Sequence, residues 1–164
     1  MPRQPPDPDS LTPGDARSLA LRWLGSRELT VAQLRTRLTR RHFPSDVIAT
    51  VVDRLVAEGL LDDRRAAASR ARHGLVIRRH GRHRVLRQVQ ALGVDRETAS
   101  KAVAAAFDDV DEEAQVADAL ARRLRGAPVP TDRKALARLF AWLLRQGFDA
   151  DKIRSALRRS GDLP

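Results

Sequence analysis

The sequence has no cysteine, no tyrosine, six aromatic residues in all, and only three lysines, Lys101, Lys134 and Lys152. Without cysteine, disulfides, thiolate metal sites and thiolate nucleophiles are excluded, and a reducing compartment fits. No apolar stretch approaches the roughly 20 residues that a membrane span needs. The opening residues, MPRQPPDPDSLTPGD, lack the apolar core of a secretory signal. A soluble cytoplasmic protein without a membrane partner is the expectation.

Signatures of catalysis are missing too. There is no P-loop, no GxSxG and no HExxH, and the four histidines (His42, His73, His80, His83) lie in or beside basic surroundings with no obvious serine partner. This predicts a protein that is not an enzyme and takes no cofactor. Period-two alternation long enough for a strand is also absent. Apolar spacing of three and four recurs instead, which predicts an all-α fold.

What the chain has in excess is arginine. Its 164 residues carry a formal net charge of +10, and such a charge speaks to partners rather than to fold. Residues 14–63 hold eight basic and seven acidic side chains, residues 64–110 eleven and four, residues 111–164 eleven and eight. The excess is therefore concentrated in the middle, where IRRHGRHRVLR runs from Ile77 to Arg87.

Three segments align without a gap: LRTRLTRRHFPSDVIATVV (34–52), VLRQVQALGVDRETASKAV (85–103) and LFAWLLRQGFDADKIRSAL (139–157). Each begins with an apolar pair four apart, Leu34 and Leu38, Val85 and Val89, Leu139 and Leu143. A closing apolar residue follows (Phe43, Val94, Phe148), preceded in two cases by glycine, Gly93 and Gly147, suited to the left-handed end of a helix. A second apolar series then starts after Ser45, Asp95 or Asp149, each a candidate cap. Each block is a helical hairpin. A further helix precedes each one: Pro13–Leu24 behind the cap Thr12, roughly Asp63–Leu75, and Asp111–Leu124. Thr30 to Gln33 reads as a capping box, and the equivalent helix of the third unit should begin at Thr131. The prediction is a disordered proline-rich arm (1–11) and three tandem three-helix repeats (12–61, 62–108, 109–164) forming an elongated, curved array. A single compact all-helical globule fits the same periodicity.

On this alignment Gly81 matches Thr30 and opens the middle helix of the middle repeat. Val85, Val89 and Leu92 form its buried stripe, leaving Arg84, Arg87 and Gln88 outward, while Arg78, Arg79 and Arg82 flank its start. Arginines at a helix N-terminus oppose the helix dipole, so something other than helix stability keeps them there. We take Arg78, Arg79, Arg82, Arg84 and Arg87 as the candidate contact surface for a partner or for DNA. No Cys, Asp or Glu lies within ten residues of His80 or His83, so no metal site is expected. The acidic run from Asp108 to Glu113 has the composition but not the spacing of a calcium loop, and reads as a linker and helix start. Trp23, Trp142, Phe140 and Phe148 fall on buried stripes and read as core.

The order of motifs, SRELTVAQLRTRL…HF…VVDRLVAEGLLDD (26–63), then G…RVLRQVQALGV (81–94), then LLRQGFDADKIRSAL (143–157), resembles the RecX family, regulators of the RecA recombinase. The resemblance spans about residues 14–160. Its most specific parts are Arg27-Glu28 with Thr30, and the corner from Gly59 to Asp63. The chain departs from the family pattern at Ala66, usually aromatic, at Gln88, typically glutamate, and at Leu92, typically lysine. The resemblance implies tandem three-helix repeats, no cofactor and no catalysis. It also implies binding in the groove of the RecA–DNA filament, with limits on RecA's ATPase, strand exchange and coprotease activities in recombination, DNA repair and the SOS response. The partner would be the RecA filament, with DNA phosphates also within reach, and the chain a monomer. The alternative from another class is a direct DNA-binding protein of helix-turn-helix type.

Overall fold

The computed structural model describes residues 12–160, and the predicted proline-rich arm lies outside them. Among the described residues there are nine α-helices and no strand: α1 Pro13–Leu24, α2 Val31–Thr39, α3 Ser45–Ala57, α4 Asp63–Arg72, α5 Arg82–Gln90, α6 Arg96–Ala106, α7 Glu112–Leu124, α8 Arg133–Gln146 and α9 Ala150–Ser160. A π-helical turn, His73–Ile77, follows α4.

Local chemistry sets most of the ends. Thr12 and Thr30 open α1 and α2 with capping boxes, closed by the side chains of Asp15 and Gln33. Asp95 accepts from the Thr98 amide at 2.8 Å to open α6, and Asp149 accepts from the Asp151 amide at 2.8 Å at the start of α9. The aligned closing positions of α2, α5 and α8 are all left-handed, with φ of 63° at His42, 82° at Gly93 and 93° at Gly147. Three expected ends move. Ser45 is the first residue of α3 rather than its cap, because Pro44 takes the position before it. The helix expected from Thr131 begins at Arg133, where the Asp132 carboxylate accepts from the Ala135 amide at 2.8 Å. And α4 stops at Arg72, where the ladder widens into the π turn instead of running on to Leu75.

The apolar side chains gather into three separate cores. Leu34, Leu38, Val52 and Leu55 centre the first, between α1, α2 and α3. Ala67, Val85, Val89 and Phe107 centre the second, between α4, α5 and α6. Val116, Leu143, Phe148 and Ile153 centre the third, between α7, α8 and α9. Close helix packing runs within these trios. One compact globule with a shared core is thereby set aside, and the apolar faces are buried inside each trio more than against its neighbours. Val85 and Val89 are fully buried as the stripe requires, whereas Leu92 is half-buried.

The trios are joined instead through helix ends, by the same device twice. At the first junction the Thr30 hydroxyl donates to the Leu92 carbonyl at 2.6 Å, so the start of α2 sits on the end of α5. At the second the Gly81 amide donates to the Gln146 carbonyl and the His83 amide to the Gly147 carbonyl, both at 3.0 Å, seating the start of α5 on the end of α8. Gly81 aligns with Thr30 and Gln146 with Leu92, so the junctions are equivalent. Each brings a positive helix start against a negative helix end. A side chain at Gly81 would collide with the backbone of Gly147, 2.4 Å from its Cβ position, which is why this capping position carries no threonine.

The motifs that carry the family resemblance build the first junction. Glu28 pairs with Arg65 Nε at 2.7 Å, and Arg65 also donates to the carbonyls of Gly59 and Leu60. Asp63 accepts from the Val31 amide at 2.8 Å, capping α2 from the neighbouring trio, while Asp62 caps its own helix α4. Glu28, Thr30 and Asp63 of the sequence pattern lock repeat to repeat.

Candidate functional site

The five arginines of the central stretch divide into two groups. Arg82 spans a junction: its Nε bonds Glu112 of α7 at 2.8 Å and its guanidinium lies 5.0 Å from the centre of the Phe107 ring. Arg84 reaches α8, donating to Gln146 Oε1 at 3.0 Å and, at 3.4 Å, to the Arg145 carbonyl. Both are half-buried. The α8 end resolves why arginines stand at the start of α5. Arg84 is misplaced for its own helix but faces the carbonyl end of α8, while Arg82 is answered by the Glu112 carboxylate. The sequence puts Glu112 thirty residues from Arg82, so local charge counting does not reveal the pairing.

Arg78, Arg79 and Arg87 are exposed and have no ion-pair partner among the described residues. Arg78 closes the π turn with its amide on the His73 carbonyl at 3.1 Å, and Arg79 takes a left-handed φ of 53°, a strained setting for an arginine. Just before them, Val76 and Ile77 are 63% and 66% exposed. Sequence reasoning missed these two, because the expected helix ended near Leu75 and left them in a connection with no assigned geometry. The π turn, a feature frequent at functional sites, presents Val76, Ile77, Arg78 and Arg79 together as an apolar and basic edge.

The histidines do not converge. His80 Nδ1 sits 3.2 Å from Gln88 Nε2, and His83 Nε2 lies 3.8 Å from Asp149. Burial, and then the positive charge of Arg84, hold the His80 imidazole below its ordinary range, against the opposing hydrogen bond from Gln88. Among the described residues no group of three or more His, Asp or Glu side chains is placed to hold a metal ion. The second half of the acidic run serves the structure. Asp111 caps α7 by accepting from the Glu113 and Ala114 amides, Glu112 holds Arg82, and Glu113 holds Lys152 and Arg159 of α9. Those two cations keep the Glu113 carboxyl below the usual carboxylate range, with the Arg159 hydrogen bond foremost.

Three clefts lie near the junctions, and Arg78 and Arg79 line the smallest of them. One of about 560 Å³ lies at the first junction, and the three positions that depart from the family pattern, Ala66, Gln88 and Leu92, all line it. Two others, of about 250 and 510 Å³, adjoin the second junction and share Arg123 and Trp142. Trp142 is half-buried: it packs on the third core as expected, and it also faces both clefts.

These features define a class: an all-α tandem of three-helix repeats, joined through helix ends and displaying arginines without ion-pair partners among the described residues. Residues 16–55 match the first three-helix domain of RecX and residues 111–157 its third three-helix domain. The regulatory protein RecX of Mycolicibacterium smegmatis is 37% identical over 142 residues, covering 82% of this chain and 73% of that protein. That of Halorhodospira halophila is 35% identical, covering 85% and 84%, and that of Trichlorobacter lovleyi 30% identical, covering 90% and 96%. The crystal structure of RecX from Lactobacillus salivarius superposes with a TM-score of 0.71 over 92% of this chain and 97% of that one, at 20% identity, a likeness of fold. The chain belongs to the RecX family of regulatory proteins.

Proposed function

We propose that this chain regulates the RecA recombinase by lying in the groove of the RecA–DNA filament, through contacts alone and without chemistry of its own. The observation that carries this reading is the exposed edge at the middle of the array. There Arg78 and Arg79 follow the exposed Val76 and Ile77, and together with the exposed Arg87 of α5 they have no ion-pair partner among the described residues. Guanidinium forks suit carboxylates and phosphates alike, and a nucleoprotein filament offers both. Arg82 and Arg84 act one step back, fixing the trio that presents this edge. A repeat array bridging adjacent RecA subunits would restrain the motions that accompany ATP turnover, or would occupy the groove that a second duplex must enter.

The alternative, direct and sequence-selective reading of duplex DNA, has less support. Two of the arginines on the helix that would read bases, Arg82 and Arg84, are turned toward α7 and α8. The discriminating experiment is single-stranded-DNA-dependent ATP hydrolysis by RecA with the chain titrated in, beside binding to bare duplex. Slowed hydrolysis supports the reading; unchanged hydrolysis with tight, sequence-selective duplex binding refutes it.

A further inference from the structure

The second junction carries a site that shares Arg78 and Arg79 with the edge described above and reaches beyond it. Two open clefts meet at Trp142. Arg78 and Arg79 enter from the middle trio, Arg122 and Arg123 from α7, and Arg138 and Arg145 from α8. All six are exposed, and only Arg122 has an ion-pair partner among the described residues, Asp118 at 3.7 Å one turn away. The Arg123 guanidinium stands 5.4 Å from the centre of the Trp142 ring. So many like charges around one half-buried indole repel one another, and within the described chain only Asp118 offsets them.

We infer that the cleft around Trp142 is a binding site for single-stranded DNA, with backbone phosphates on the arginines and an unpaired base against the indole. A small anion would satisfy one or two guanidiniums and leave the rest opposed. An acidic polypeptide would answer the charge but offer nothing matched to the indole. A single strand brings repeated charge and a π face together, the combination that such grooves use. In a duplex the bases are already stacked, which leaves Trp142 without a role. The site extends the positive edge of Arg78 and Arg79 across the junction, and it rests on the proposed function for its setting in a RecA–DNA filament.

The test uses the full chain with Trp23→Phe, so that Trp142 is the only indole, and a short oligothymidylate as the probe. Saturable quenching of Trp142 is expected. The R123A/R138A/R145A variant, checked by circular dichroism for an unchanged helix content, should bind about ten-fold or more weakly, and its log–log salt slope should be shallower by about two. Trp142→Phe, which keeps an aromatic on the third core, should weaken binding several-fold when read by anisotropy of a labelled strand. Binding without quenching, or equal affinity in either variant, overturns the assignment. So does displacement of the strand by polyglutamate at equal charge, which would give the cleft to an acidic protein. A chain that slows RecA yet binds no oligothymidylate overturns this inference and leaves the proposed function standing. A chain that binds the strand at the cleft without affecting RecA supports the inference and removes the proposed function.

Discussion

Replacing Gly81 by alanine should separate the middle trio from the third while leaving each core intact. Gly81 has a φ of −70°, which alanine adopts freely, so no backbone strain enters. The added Cβ would stand 2.4 Å from the carbonyl carbon and oxygen of Gly147 and 2.6 Å from the Phe148 amide nitrogen. Carbon atoms rest at about 3.5–4 Å, and the obstruction is backbone that no rotamer change can clear. The helix ends must part by about 1 Å, which takes bonds of 3.0 Å beyond bonding range. Three are at stake: Gly81 to Gln146, His83 to Gly147, and Arg84 to the Gln146 side chain. At about 1 kcal/mol each the loss is about 3 kcal/mol, and it falls on the coupling between trios. Guanidinium unfolding should be followed by circular dichroism and by Trp142 emission in a Trp23→Phe background. The Gly81→Ala variant should show the Trp142 transition moved to lower denaturant and split from the helix signal. Gly126→Ala is the control: φ is 88° and nothing lies within 4 Å of its Cβ, so it should cost only the left-handed penalty of about 1–2 kcal/mol with no splitting. A Gly81→Ala protein that unfolds in one transition at the wild-type midpoint refutes the junction argument.

Thr30→Val keeps the shape of the first junction but removes both the cap on α2 and the bond to the Leu92 carbonyl. It should destabilise by about 1–3 kcal/mol in urea unfolding, and no change would show that the cap is idle. Arg82→Ala and Arg87→Ala should separate structure from contact. The first should lower stability by about 1 kcal/mol by losing the Glu112 pair, and the second should leave stability alone while weakening filament binding; the reverse pattern contradicts the assignment. His80 gives a pH dependence. Its folded pKa is depressed, so below the ordinary imidazole value of about 6.5 the unfolded chain takes up a proton that the folded chain refuses. The contribution is fully present above that value and is lost as pH falls through it toward the folded pKa. His80→Asn should flatten the stability profile between neutral and mildly acidic pH, and parallel profiles would show that His80 contributes nothing.

The repeats were legible because glycines and caps recur at one spacing: Gly93 and Gly147 end their helices as read, and Asp95 and Asp149 open the next. His42 at the matching position shows that the alignment carries backbone geometry even where the residue type changes. The junctions were not legible. Nothing local tells that Asp63 caps Val31 or that Glu112 meets Arg82, since both pairings arise from how trios stack. For the same reason the central stretch was only half readable. Charge and period placed its five arginines on one helix and its approach, but the C-terminal end of α8 claims Arg84, Glu112 claims Arg82, and a π turn brings forward Val76 and Ile77. Trp142 was read correctly as a core residue, and its second exposure, to the clefts, depends on where Arg78 and Arg79 arrive from another trio.

The central claim is that the exposed edge of the middle trio touches the RecA–DNA filament. Its most direct measurement is RecA's single-stranded-DNA-dependent ATP hydrolysis, titrated with wild type and with R78A/R79A/R87A at matched salt. None of these three side chains takes part in an ion pair within the described residues, so the variant should fold like wild type. Wild type should slow hydrolysis, and the variant should require about ten-fold or more protein for the same effect, with a weaker salt dependence. Equal inhibition by both proteins would contradict the claim and move the contact elsewhere on the array.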